Sequence, residues 1–323
     1  MNILLSIFFF FFLFSCSGED SNSPQSQNYR EMMRDFVKQI SNYTKTKKQD
    51  FIIITQNGIE LLIENSTDQN ITRYDYLDAV DGISQEGLFY GYEEFNQETQ
   101  EEITTYLLSI LIQAKRNNKP VLITDYCKDV DKINLSYQKN KRFGFISFQA
   151  DSLELDQIPK YPEKPWEENY DNIQNLSDGK NYLYLLNFRK FSSKEDLIDK
   201  LNSTNYDILI IDAFWREFEM FSKEDIQNLK TKQNGGKRLV IAYLSIGEAE
   251  NYRYYWKDEW NYQLPDWIKD YQEWEGNFPV EFWNGTWQEI IYDYLDKIVT
   301  AGFDGVFLDK VDIFEFFEGN YSL

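Results

Sequence analysis

Eight short apolar runs, each ending in polar residues and separated by stretches with helical periodicity, constrain this chain more than any other feature. They lie in "FIIITQNGIE" (51–60), "YLDAVDGISQEGLFYG" (76–91), "KPVLITDYC" (119–127), "RFGFISFQ" (142–149), "NYLYLLN" (181–187), "YDILIIDAF" (206–214), "KRLVIAYLSIGEAE" (237–250) and "DGVFLDK" (304–310). Near-continuous apolar runs suit strands buried on both faces, as in a parallel sheet. Between them, "YREMMRDFVKQISNYTK" places Met32, Phe36, Val37 and Ile40 on one helical face. "EEITTYLLSILIQAKRNN" and "SKEDLIDKLNS" have the same periodicity, as does "WQEIIYDYLDKIVTAG", which stops at Gly302 as a C-cap would. Strands interleaved with helices in this number have the size and rhythm of an α/β (β/α)8 TIM barrel spanning residues 28–323 as one domain. An open doubly wound sheet is the structural alternative, although no Gly-rich phosphate loop supports a nucleotide-binding version of it.

The chain contains no histidine, which removes Ser-His-Asp triads, Cys-His pairs and His-based metal sites. Carboxylates are left as the main acid–base groups, and no cofactor or metal is expected. Two cysteines, Cys16 and Cys127, give no disulfide framework. The formal charge of −21 argues against a nucleic-acid partner; it suits a cationic ligand through long-range steering, and equally a surface whose acidity only keeps an exported protein in solution.

Residues 1–16, "MNILLSIFFFFFLFSC", read as a signal peptide, because the apolar run is too short to span a bilayer as a mature helix. Leu13, Phe14, Ser15 and Cys16 resemble a bacterial lipobox, in which the cysteine becomes lipid-modified. Residues 17–27 form a polar tether. An exported protein follows, held at a membrane by a lipid anchor only, on the cell surface or in the periplasm; an ordinary secretory signal, without the anchor, is the alternative, since the residues before the apolar run include no Lys or Arg.

The C-terminal ends of barrel strands carry active sites. Read from the sequence, those ends hold Asn57 and Glu60, Asp81, Asp125 and Tyr126, Asp212, Glu248 and Glu250, then Asp309 and Asp312. A single Asp after a strand is most simply a helix cap or turn residue. Carboxylates after six of the eight runs are harder to explain as caps.

Two stretches carry a resemblance. "VIAYLSIGEAENYRYYW" (240–256) and "PDWIKDYQEWEGNFPVEFWNGTWQEIIYDYLDKIVTAGFDGVFLDKVD" (265–312) resemble glycoside hydrolase family 114, the extracellular endo-α-1,4-polygalactosaminidases and their relatives. The "SIGEAE" turn, the later Trp-rich run and their spacing agree together. The resemblance implies that the strand ending at Asp309 is the family's fourth. Segments like the family's strands five to eight then stand first in this chain, which reads as a circularly permuted barrel. The strand at Phe51 must in that case pair with the strand ending at Asp309.

The resemblance also implies a retaining glycosidase with Asp309 as nucleophile and Glu60 as acid/base; reversed roles or an inverting arrangement stay open. Asp212, Glu248, Asp312, Asp81 and Asp125 would bind hydroxyls and amines of an amino-sugar polysaccharide, with Tyr126, Tyr243 and Tyr90 stacking on sugar faces or packing. The substrate implied is an α-1,4-linked galactosamine-containing polymer. A non-catalytic surface glycan-binding lipoprotein and a glycosidase for another amino-sugar polymer are the rival readings.

Overall fold

The computed structural model describes residues 28–65, 68–216 and 218–319, so the segments read as signal peptide and tether, with Cys16, lie outside the described residues. The apolar runs form eight parallel strands: β1 (Ile52–Gln56), β2 (Gly82–Glu86), β3 (Val121–Tyr126), β4 (Ile146–Ala150), β5 (Tyr182–Leu185), β6 (Ile208–Asp212), β7 (Leu239–Ser245) and β8 (Gly305–Asp309). Their order in one sheet is β4-β3-β2-β1-β8-β7-β6-β5. A parallel bridge between Ser147 and Asn181 brings the two edges, β4 and β5, together. The result is a nearly closed TIM-like barrel.

The expected seam is present. β1 and β8 pair in parallel from Ile52↔Gly305 to Thr55↔Leu308. Helix α1 (Tyr29–Lys47) packs outside this seam, burying Met33, Phe36, Val37 and Ile40; Met32, expected on that face, is only half-buried. The remaining helices are α2 (Tyr74–Ala79), α3 (Glu101–Arg116), α4 (Val130–Phe143), α5 (Lys194–Asn202), α6 (Lys223–Leu229), α7 (Gly285–Ala301) and α8 (Phe314–Phe317). Tyr43 of α1 donates to Asp296 of α7 at 2.9 Å, and Lys48 donates to the Phe303 carbonyl at 3.1 Å. Helix α1 therefore stands where a helix after β8 would stand.

Two runs are shorter as strands than they read. The 76–91 run begins as helix α2, and only Gly82–Glu86 is strand. The 237–250 run stops at Ser245, and Glu248–Glu250 forms an antiparallel ribbon with Asn277–Pro279.

Side chains of a strand alternate between the barrel interior and the helices. Contacts between strands that are not neighbours identify the interior set. Tyr184 of β5 meets Phe307 of β8 at 5.1 Å, and Thr124 of β3 shares a 2.7 Å hydrogen bond with Tyr182 of β5.

The N-terminal mouth is closed by acids. Asp81 accepts from the Ile53 amide at 2.8 Å and pairs with Lys45 at 3.0 Å. Asp304 accepts from the Val240 amide and from Lys230, and Asp207 from the Lys180 amide and from Lys232. This corrects the placement of Asp81: it precedes β2, at the face opposite the rim, where its work is to stitch strands together.

Gly305 has no room for a side chain, because a β-carbon there would strike the Ile52 carbonyl across the seam. Gly285, at the start of α7, has open space around it. Gly305→Ala should cost roughly 1–3 kcal/mol through overpacking. Gly285→Ala should be neutral or stabilising by up to about 1 kcal/mol. Urea denaturation of the two variants beside the wild type measures both.

Candidate active site

Asp309 is the last residue of β8, and alternation from Phe307 points it inward. Tyr243, on the neighbouring β7, donates to Asp309 Oδ2 at 2.8 Å. Burial pushes the Asp309 carboxyl above its ordinary range, while the adjacent Lys310 ammonium and the Tyr243 hydroxyl pull it back.

Glu86, the last residue of β2, faces inward by the same parity as Ser84 and Gly82. It mirrors Asp309 across β1. Tyr126 of β3 donates to Glu86 Oε1, and Asn57 Nδ2 donates to Oε2 at 3.2 Å. The Glu86 carboxyl is also pushed up, first by burial and then by the negative field of Asp309. Gln56, fully buried at the end of β1, lies on the strand between them. Tyr184 from β5 feels both charges, which with its own burial raise its hydroxyl far above the ordinary value. Two inward carboxylates thus stand on strands flanking β1, each held by a tyrosine from the next strand outward.

More carboxylates gather after β7 and β8. In the "SIGEAE" turn, Ser245 Oγ accepts from the Glu248 amide at 3.2 Å, and Trp287 of α7 anchors the turn through the Ile246 carbonyl at 2.8 Å. Glu248 is 1% exposed, and its carboxyl is pushed up to about 7, chiefly by burial. Asp312, in the turn after β8, is likewise pushed up to about 7 by burial, against the opposing pull of Lys310. On the other flank, Arg253 bridges Asp212 at 2.8 Å and Glu250 at 2.6 Å. Burial raises the Asp212 carboxyl despite that guanidinium.

Of the residues singled out from the sequence, the structure brings together Asp309, Tyr243, Tyr126, Glu248 and Asp312. Asp212 joins them at the end of β6, its oxygens engaged by Arg253 and the Phe214 amide. Glu60 meets this group from the side of Asp312, since Glu315 and Tyr92 feel the charges of both. It sits on the turn Ile59–Leu62, and its Oε1 accepts from Tyr106 of α3 at 2.9 Å. Its acidic neighbour there is Glu315, which is pushed up to about 8 by burial first and by Glu60 second.

Asp125 points out of the barrel. It accepts from the Phe89 and Tyr90 amides and from Ser136 and Asn140 of α4, so its acceptor sites serve the fold. Tyr90 is buried, its ring 5.3 Å from the Lys139 ammonium.

Sequence reading missed Glu86, Tyr184, Arg253 and Lys310. A signal for Glu86 exists. "VDGISQE" (80–86), "YDILIID" (206–212) and "FDGVFLD" (303–309) share one pattern: an Asp at the closed mouth, then a carboxylate five residues later at the open one. Alternation would also have separated inward Tyr126 from outward Asp125.

The raised Glu248 carboxyl links pH to stability. An unfolded Glu titrates near 4.3, so its protonated form contributes stability fully below about pH 4, and that contribution is lost as pH rises through about 7. Glu248→Gln should flatten the fall in urea midpoint between pH 5 and pH 8, removing about 2 kcal/mol of pH dependence. Asp312 titrates in the same window and retains the remainder of the slope.

Residues 172–321, which include β5 to β8, match the sequence model of Glycoside-hydrolase family GH114. An uncharacterized protein of Methanocaldococcus jannaschii is 41% identical over 181 residues, covering 54% of this chain and 50% of that one. An uncharacterized protein of Thermotoga maritima is 33% identical over 36% of each chain, and one of Deinococcus radiodurans is 43% identical over 24% of this chain and 26% of its own. The chain thus spans half or less of the length of these curated relatives. The matched residues 172–321, which carry Asp212, Tyr243, Glu248, Arg253 and Asp309, are similar to glycoside-hydrolase family GH114.

Proposed function

We propose that this chain is a glycoside hydrolase that works with Asp309 and Glu86. The observation that carries the reading is the pair itself: two inward, half-buried carboxylates on strands flanking β1, with the charge of Asp309 adding to burial in raising Glu86. The cation beside them is Lys310, next to Asp309, so the shared proton resides on Glu86 and the negative charge on Asp309. In a retaining course, Asp309 attacks the anomeric carbon as the bond to the leaving oxygen breaks, and Glu86 gives that oxygen its proton. Water then attacks the glycosyl ester, losing its proton to Glu86 and releasing Asp309. Glu60, the acid/base that the family resemblance implies, is the competing assignment; the field of Asp309 at Glu86 favours Glu86.

The substrate class we propose is an α-1,4-linked, galactosamine-containing polysaccharide outside the cytoplasm. Partly deacetylated, such a polymer is cationic, which suits the buried acids Glu248 and Asp312 at the rim and the net charge of −21. A permuted strand order is part of the proposal. The opening of the sheet between β4 and β5 supports it, because these would be the family's eighth and first strands, next to which unpermuted ends would meet.

Reducing-end release from polygalactosamine tests the pair. Asp309→Asn and Glu86→Gln should each lower kcat by on the order of a thousandfold or more with the urea midpoint retained, and Glu60→Gln by less than about tenfold. The rate profile should be bell-shaped, with its basic limb lost in Glu86→Gln. Equal losses in Glu86→Gln and Glu60→Gln would return the acid role to Glu60. A wild type that binds the polymer without cleaving it would replace the enzyme by a glycan-binding protein.

Anchoring through Cys16 completes the proposal. Cys16→Ser should move the protein from the membrane fraction to the soluble one, as read by fractionation and blotting; an unchanged distribution overturns the anchor.

A further inference from the structure

Lys310 follows Asp309 directly and holds a left-handed backbone, with φ of 58°. A non-glycine residue takes that conformation only when its surroundings impose it, and such strain clusters at functional sites. Here glycines clamp the turn from two sides. A β-carbon at Gly247 would strike the Lys310 carbonyl, and one at Gly58 would crowd Val311 and the Asp312 amide. The Ile246 amide adds a 3.0 Å bond to the Asp309 carbonyl.

So held, the Lys310 side chain runs between two acids. Its ammonium lies 3.3 Å from Glu248 Oε1 and donates to Glu273 Oε2 at 2.8 Å. Glu248 belongs to the buried ribbon, whereas Glu273 is 44% exposed on the long excursion between the ribbon strands. Glu248 Oε2 and Asp312 Oδ1 are buried with no hydrogen-bond partner.

We propose that Lys310 is a positioning residue for the reaction at Asp309: its ammonium, fixed by Glu248 and Glu273, supplies the positive charge that the surrounding carboxylates lack. The proposal rests on the glycosidase reading for its consequence, and on the geometry of the turn for its cause. The groups facing Asp309 are Glu86 from β2, Tyr126 from β3, Tyr184 from β5 and Tyr243 from β7. Glu248 and Glu250 face it from the ribbon, and Lys310 and Asp312 from its own turn. Asp212 is held by Arg253 at the end of β6. Among these, Lys310 is the cation adjacent in the chain to the reacting carboxylate. Because Glu273 holds that cation from an exposed loop, seating of the excursion and charge at Asp309 are coupled.

The test is a carboxyl-carbon NMR titration with labelled aspartate, the Asp309 signal being assigned by its loss in Asp309→Asn. Lys310→Met should raise the Asp309 midpoint by about one pH unit, and Lys310→Arg should restore it. Glu273→Gln, a change at an exposed position, should raise it by a smaller amount. The acidic limb of kcat/KM should move upward with the midpoint, since Asp309 must be ionised to act. An unchanged midpoint in Lys310→Met overturns the proposal. So does Lys310→Arg shifting it as far as Lys310→Met, because the turn rather than the charge would then be at fault. Absence of cleavage by the wild type would sink the glycosidase reading alone, while the titration still decides the role of Lys310.

Discussion

The backbone pairing of β1 with β8 is the constraint on which the rest of this molecule depends. It joins the strand at Ile52 to the strand at Gly305, so almost the whole chain is closed into a loop by that one ladder. Loop closure over such a length is costly in entropy, and it grows only slowly with further length. The compensation is local and dense: an absent side chain at Gly305, α1 laid over the seam, and Lys48 capping the Phe303 carbonyl. Once the seam is closed, Asp309 and Glu86 stand one strand to either side of β1. Neither the β1–β4 segment nor the β5–β8 segment holds both groups.

The barrel and its seam were legible in the sequence because burial on both faces leaves a continuous apolar signature. The rim was legible only in part. A list of acids after apolar runs carries no information about which side of the strand each acid occupies, and one residue decides it. Asp125 and Tyr126 are neighbours in the chain, yet the first serves α4 and the second serves Glu86. The 76–91 run hid its strand behind helix α2, so its first acid, Asp81, was taken for its last, Glu86. Arg253 and Lys310 were invisible for another reason: their side chains are placed partly by acids distant in the chain, Asp212 for Arg253 and Glu248 and Glu273 for Lys310.

Charge, rather than shape, organises the open mouth. The N-terminal mouth pairs its acids almost completely: Asp207 is fully buried against Lys232, and Asp304 holds both Lys48 and Lys230. Those acids are satisfied and serve stability, in keeping with the role of that face in barrels. The C-terminal mouth does the reverse. Glu86, Asp309, Glu248 and Asp312 are all raised by burial, and Lys310 is shared between several of them. Buried acids left short of counter-charge cost stability, and clusters of perturbed carboxyls mark functional sites more often than structural ones.

The same barrel therefore uses one repeated sequence device for opposite ends. In "VDGISQE", "YDILIID" and "FDGVFLD", the first acid accepts from a backbone amide of a neighbouring segment and from a lysine. The acid five residues on sits about 16 Å further along the strand, at roughly 3.3 Å per residue, where tyrosines and an arginine replace the lysines of the closed mouth. Asp212 is neutralised by Arg253, whereas Glu86 and Asp309 look into the barrel and are held by the hydroxyls of Tyr126 and Tyr243. What distinguishes the candidate catalytic acids from their structural counterparts is thus neither residue type nor strand position, but what the opposite end of the barrel supplies and this end withholds.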